Sequence, residues 1–159
     1  MTLTLRPMTQ EEYDRLSPAV IDSFAAKLLE AGHATSPEDA RSQTLAQIEQ
    51  LLPEGVGTSW MLLLAAEADG DGIVGQIWLS LPGTAAHPDT AWVYNVEVSP
   101  EHRGKGFGRA IMLAAEGELR GRGVDRLGLN VFGSNRTAIA LYDSLGFAVT
   151  SQQMSKPLN

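Results

Sequence analysis

The chain contains no cysteine in its 159 residues, and that absence alone removes disulfides, thiolate metal sites and cysteine nucleophiles. Long apolar runs are missing as well. The longest, residues 60–66, falls far short of the ~20 residues a membrane-spanning helix needs, so no membrane partner is expected. Basic residues are in the minority: 12 Lys and Arg against 19 Asp and Glu give a net charge of -7, which argues against nucleic acid as a partner held by overall charge. No repeat period and no low-complexity segment appears, which excludes a repeat array or two domains on a flexible linker. The first seven residues, MTLTLRP, alternate like a strand and lack the basic-then-apolar order of a signal peptide, so a cytoplasmic location is expected.

What is present fits one globular domain spanning 1–159. Its hydrophobic fraction is 43%, and a chain of this size buries roughly 70% of its unfolded surface around a single core. The charge is unevenly placed. Residues 1–100 carry four basic side chains (Arg6, Arg15, Lys27, Arg41) against fourteen acidic ones, a net of -10, whereas residues 101–159 carry eight against five, a net of +3. The second part is therefore the place to look for a bound anion, and the first part favours a cationic or polar partner.

Periodicity gives the order of elements. After the first strand, Thr9 and Glu12 have the spacing of a capping box, and Ser17-Pro18 reads as the start of a second helix that carries Val20, Ile21, Phe24 and Leu28 and stops at Gly32. Ser36-Pro37 starts another, with Leu45, Ile48 and Leu52 as its expected buried stripe. Residues 60–66 and 73–79 then read as a hairpin around the turn Asp69-Gly70-Asp71-Gly72, which lacks the ligand positions of a calcium loop. Residues 91–98 form the next strand, with Trp92, Tyr94, Val96 and Val98 expected on one face. Helix 108–119, strand 127–131, a helix capped by Ser134-Asn135 and a last strand from Phe147 complete the chain. A strand, a helix and a second strand within 91–131 allow a parallel crossover, so the sheet is expected to be mixed.

The chemistry is concentrated at residues 96–109, VEVSPEHRGKGFGR. Gly104, Gly106 and Gly108 lie between the end of a strand and the start of a helix. Backbone there can curl its amides around an anion while the positive end of the helix dipole faces the same point. The dipole supplies roughly 0.3–1 kcal/mol per favourable charge, and Arg103, Lys105 and Arg109 add full charges. A nucleotide-binding P-loop needs a hydroxyl after its lysine, but Gly106 follows Lys105 here; a dinucleotide fingerprint needs G-x-G-x-x-G, but the spacing is G-x-G-x-G.

The remaining pattern, Arg-x-x-Gly-x-Gly, is matched by Arg103, Gly106 and Gly108, and it resembles that of the GCN5-related N-acetyltransferase (GNAT) family. Asn135, Ala138, Leu141, Tyr142, Gly146 and Phe147 continue the resemblance in order and spacing, which covers about 91–150 with high specificity. Residues 8–57 match only in kind and correspond to the variable acceptor side. The resemblance implies an α/β fold with a mixed, mostly antiparallel sheet splayed between its two central parallel strands and helices on both faces. It further implies that Val96, Glu97 and Val98 pair with the pantetheine arm of acetyl-CoA, that the amides of Gly104, Lys105, Gly106, Phe107, Gly108 and Arg109 hold the pyrophosphate with Arg103 beside them, and that Asn135 contacts the donor near its reactive end. Tyr142 is implied as the acid that protonates the leaving sulfur, a role typically worth ~10²- to 10⁴-fold in rate.

The residues agree with direct transfer to a primary amine, in a small molecule or at a peptide N-terminus. No Ser-His-Asp arrangement is present, since His33, His87 and His102 sit apart in expected turns, with His102 solvated; no metal is expected. A backbone amide near Val98 is placed to steady an oxyanion, and the base is either Glu97 or a chain of waters positioned by Asn95. Trp60, Trp78 and Trp92 read as core or sheet-face residues. Two points stay open in the sequence: a non-catalytic acyl-CoA sensor is the alternative reading, and a homodimer is as compatible as a monomer.

Overall fold

The structure, a computed structural model, describes residues 2–159. Five strands, β1 (Leu3–Pro7), β2 (Met61–Ala68), β3 (Gly72–Ser80), β4 (Ala91–Val98) and β5 (Leu127–Leu129), lie side by side in sequence order. The first three pairings are antiparallel and the last, between β4 and β5, is parallel. The helices are α1 (Gln10–Glu30), α2 (Pro37–Leu51), α3 (Phe107–Gly121) and α4 (Arg136–Ser144).

Alternation along the strands makes two cores, one on each face of the sheet. Leu64, Ile77, Leu79 and Val93 face α3, whose Ile111, Met112, Ala115 and Leu119 complete a dry layer. On the opposite face Met61, Leu63 and Trp78 meet Val20 of α1 and Ile48 of α2. Trp78 is fully buried there, with Tyr13 and Phe24 against its ring and its indole N–H donated to Gln76 at 2.9 Å. Helices thus cover both faces, as expected.

Three local expectations are corrected. Ser17-Pro18 does not divide two helices; α1 runs unbroken for 21 residues with Pro18 inside it. Proline removes the donor to the carbonyl four residues back, but Pro18 and Asp14 are both exposed, so water takes that carbonyl and the apolar stripe on the other side decides. In α2 Leu45 is 44% exposed and Thr44 is buried instead, its hydroxyl satisfied by the Ala40 carbonyl at 2.8 Å. No strand forms after Phe147. The Phe147 N–H closes the α4 end on Tyr142, and residues 148–159 are exposed, because Val149 is followed by a polar stretch with little apolar surface to bury.

The fourth correction shapes the site. Trp78 is level with Asn95 but Leu79 with Val93, so a bulge at Tyr94 breaks the alternation of β4. Tyr94 packs with the α1 side and Val96 and Val98 with the α3 side, rather than all on one face. Parallel pairing with β5 also stops early, at Val93 beside Leu129. Beyond that point the two strands share no pairing, so the sheet is open between them where β4 runs on toward α3.

Candidate active site

The open side of β4 has a defined hydrogen-bonding pattern. The Ser99 N–H donates to the Val74 carbonyl at 2.8 Å, which fixes the phase of the β3–β4 ladder. Counting back in twos, Glu97 and Asn95 exchange bonds with β3, and Val96 and Val98 direct their backbone groups to the other side. No strand meets them there. The Val98 carbonyl is taken by Arg103 Nε at 3.0 Å, which leaves the Val98 N–H and both Val96 groups facing the gap.

This open edge leads into the glycine loop. Gly104 and Gly106 sit at φ 75° and 86°, the left-handed region that a side chain makes costly, and Gly106 is the N-cap of α3. The Arg103 N–H bonds back to Pro100, and the first helical bond is from Ala110 to Gly106. Among the described residues the N–H groups of Gly104, Lys105, Gly106, Phe107, Gly108 and Arg109, six in succession, find no protein acceptor. A helix start leaves about four such donors in any case; the loop adds to them and all belong to the positive end of α3. Phe107 is buried and anchors the loop, Lys105 is exposed, and Arg109 bonds to Ser144 Oγ, tying the loop to α4.

On the α1 face of β4 a buried polar strip accompanies the open edge. Asn95 is 5% exposed and Ser80 1%, and Asn95 Nδ2, Ser80 Oγ and Glu97 Oε2 have no hydrogen-bond partner. Burial pushes the Glu97 carboxyl above its ordinary value, while the nearby charges of Lys27 and Arg103 offset part of the effect. Glu97 therefore takes up a proton more readily than a solvated carboxylate, which suits a base.

Tyr142 packs against the α3-side core with its ring edge-on to Phe147, centroids 5.6 Å apart. Burial raises its phenol pKa, so the hydroxyl stays protonated and able to donate. The Asn135 side-chain oxygen accepts the Ala138 N–H at 3.2 Å and caps α4, leaving its amide nitrogen to donate elsewhere. A cavity of about 210 Å³ brings Asn135, Ser134 and Phe132 opposite Lys27 and Glu30 at the end of α1. A larger depression of about 550 Å³, lined in part by Pro82, Asp89, Arg122 and Asp125, lies at the other end of the sheet, where β4 and β5 are still paired.

His102 is not solvated. Its ring stands edge-on to Phe107 at 5.8 Å and its Nδ1 is buried without a partner. The other two histidines lie elsewhere: His87 stacks on Trp92 with centroids 3.8 Å apart, and His33 lies near Phe132. Two residues that shape the site were missed in the sequence. A Cβ on Gly75 would come within 2.3 Å of the Glu97 carbonyl, so only glycine lets β3 lie this close to β4; a glycine inside a strand pattern is its signal. Lys27 occupies the position one turn beyond Phe24 on the stripe of α1, and a charge at a core-facing position was the signal there.

The splayed β4–β5 edge that runs into a glycine-rich helix start is the arrangement that the resemblance to N-acetyltransferases implies, and comparison with known proteins gives the class and the family. Residues 24–147 match the Acetyltransferase (GNAT) family, and the chain belongs to it. The uncharacterized N-acetyltransferase YycN of Bacillus subtilis (strain 168) is 32% identical over 159 residues, covering 99% of this chain and 100% of that protein. The crystal structure of YycN matches with a TM-score of 0.90 at 31% identity over 99% of each chain. A mycothiol acetyltransferase of Kocuria rhizophila is 38% identical over 120 residues, which are 72% of this chain and 38% of that protein. The PaiA N-acetyltransferase of Thermoplasma acidophilum, crystallised in complex with coenzyme A, shares the fold with a TM-score of 0.71 at 24% identity over 96% of this chain and 94% of that one.

Proposed function

We propose that this acyltransferase acetylates a primary amine, in a small molecule or at a peptide N-terminus, by direct transfer from acetyl-CoA within a ternary complex. One observation carries the reading: both backbone groups of Val96 and the N–H of Val98, which no strand meets, open onto six free amides at the start of α3. The residues fit the donor. The open edge offers a pantetheine arm the hydrogen bonds of a neighbouring strand, and the loop offers a pyrophosphate amides and positive charge with no Cβ in the way.

The donor supplies an activated acetyl thioester. Asn95 and Glu97 present a buried polar surface on the acceptor side, and Glu97 takes the amine proton, directly or through water, as the new C–N bond forms. The Val98 N–H, free because Arg103 bonds only its carbonyl, donates to the developing oxyanion. Tyr142 gives its proton to the sulfur as the C–S bond breaks and is reprotonated from solvent. Every charge made in the step thus has a residue to meet it, with no covalent enzyme intermediate.

The test is thiol release from acetyl-CoA with a panel of amines, wild type against Tyr142→Phe. Loss of the phenol should lower kcat by ~10²- to 10⁴-fold while binding of coenzyme A, read by its thermal shift, is kept. Turnover by Tyr142→Phe at the wild-type rate would remove the assigned acid; no thermal shift with coenzyme A would remove the whole reading.

A further inference from the structure

The four cations of the first 100 residues are placed very differently. Arg6 is held by Glu12 and Glu67, and Arg41 by Asp22. Arg15 is exposed on α1. Lys27 is half-buried, lines the 210 Å³ cavity with Ser134 and Asn135, and has no carboxylate within ion-pair distance among the described residues. Its position on α1 makes this a matter of the fold. Phe24, one turn earlier, packs on Trp78, and Trp78 is level with Asn95 of β4, two residues from Glu97. Lys27 lies on the same stripe, and its charge is near enough to act on the Glu97 carboxyl.

Glu97 acts on this ammonium through space but not within ion-pair distance, so a ligand carboxylate can still supply the close counter-ion that a half-buried charge favours. The glycine loop and α3 already provide for the phosphates of the donor, and its pantetheine arm is uncharged. Glu30, the other charged residue of the cavity, is exposed, so water screens its charge more than that of half-buried Lys27. Four of the fourteen acidic side chains of residues 1–100 are engaged by other groups. Glu12, Glu67 and Asp22 are paired, and Asp39 is bound into the start of α2 by Thr35 and Gln43.

We infer that Lys27, with the Ser134 hydroxyl and the Asn135 amide, receives a carboxylate of the acceptor, so that the substrate is an amine carrying one carboxylate, such as an amino acid or a short peptide, rather than a polyamine. This rests on the acetyl-transfer reading and reverses the preference for a cationic acceptor that summed charge suggests. The cavity, about 210 Å³, has room for a carboxylate together with the part of the acceptor that carries it. Lys27 sets specificity and takes no part in moving protons.

The test compares acceptors that differ only at the carboxylate: amino acids against their amides, and dipeptides with free against amidated C-termini, which separates a free amino acid from a peptide. A charge-assisted hydrogen bond of this kind corresponds to about a 10- to 100-fold lower KM for the free acids in wild type. In Lys27→Met that preference should fall to near unity, and Lys27→Arg should restore most of it. Because the Lys27 charge holds the Glu97 carboxyl down, Lys27→Met should also move the acid limb of the pH–rate profile upward, and Lys27→Arg should leave it in place. Equal use of free and blocked acceptors by wild type overturns the inference, as does a Lys27→Met effect that appears in the KM for acetyl-CoA with the preference between free and blocked acceptors unchanged. A second arm does not need turnover: calorimetry of N-acetyl amino acids against their amides on the coenzyme A complex should show the same preference and its loss in Lys27→Met. Absence of that preference counts against the carboxylate site, while absence of turnover with every amine counts against acetyl transfer.

Discussion

Gly75→Ala tests how strictly the site depends on the approach of β3 to β4. The added Cβ would lie 2.3 Å from the Glu97 carbonyl oxygen, 3.0 Å from Ile111 Cδ1 and 3.2 Å from Val98 Cα. Two of the three contacts are backbone, so neither can rotate away, and a normal separation requires β4 to move by roughly 1 Å at Glu97. Overpacking of this kind costs about 1–3 kcal/mol, which for a chain of this length lowers Tm by ~2–12 °C. The same displacement moves Glu97 and the Val98 N–H from their working positions, and a shift of about 1 Å can cost ~10²-fold in rate. Gly117→Ala is the internal control: it lies on the exposed side of α3 with nothing within 4 Å of a Cβ, and should raise stability by about 0.5–1 kcal/mol. Scanning calorimetry and kcat/KM on both variants decide the matter. Wild-type Tm and rate in Gly75→Ala would refute the reasoning, and so would losses of equal size in the two variants.

Three further outcomes are expected. Glu97→Gln should lower kcat by ~10²- to 10⁴-fold and abolish the acid limb that the raised Glu97 carboxyl places above the ordinary carboxylate range; a limb unmoved in the variant would assign it to the acceptor. Arg6 makes two bonds to Glu12, at 2.6 and 2.8 Å, and with the Thr9 amide holds that buried carboxyl down to about 2. Because the folded value is depressed, the stabilisation is complete above the ordinary carboxylate range and is lost as pH falls toward 2; Arg6→Met should cost about 1–3 kcal/mol in neutral urea titrations, an amount set below that of fully buried pairs because Arg6 is partly exposed, and flatten the dependence on acid. Gly106→Ala forces a side chain into a φ of 86° and should weaken coenzyme A binding in calorimetry by at least about tenfold, with a stability cost of about 1 kcal/mol or more; unchanged affinity would show that the loop amides do not hold the donor.

Wherever local chemistry decides, the sequence was sufficient. The glycines between a strand and a helix, the Asn135 cap and the Thr9–Glu12 box are consequences of residues a few positions apart, and each is found in the structure. Pro18 shows the limit of such reasoning, since a helix-breaking signal yields when the orphaned carbonyl faces water and the buried stripe continues. The bulge at Tyr94 shows another, because alternation read along one strand cannot reveal that its partner is one residue out of step.

The sequence by itself determined the family, the glycine loop at the start of α3, and the order of elements apart from a division at Pro18 and a last strand that the structure lacks. Only the tertiary structure decided which charges are spent on one another. Of the fourteen acidic side chains in residues 1–100, Arg6 and Arg41 pair three and the start of α2 holds Asp39, whereas Lys27 lines the cavity beside Asn135 with no carboxylate within ion-pair distance among the described residues. Electrostatic selection acts over a few ångströms, not over a hundred residues of chain, because charges separated by more than about 10 Å of salt solution are screened from one another. Where α1 lays Lys27 relative to β4 therefore counts for more than the charge of the segment that carries it.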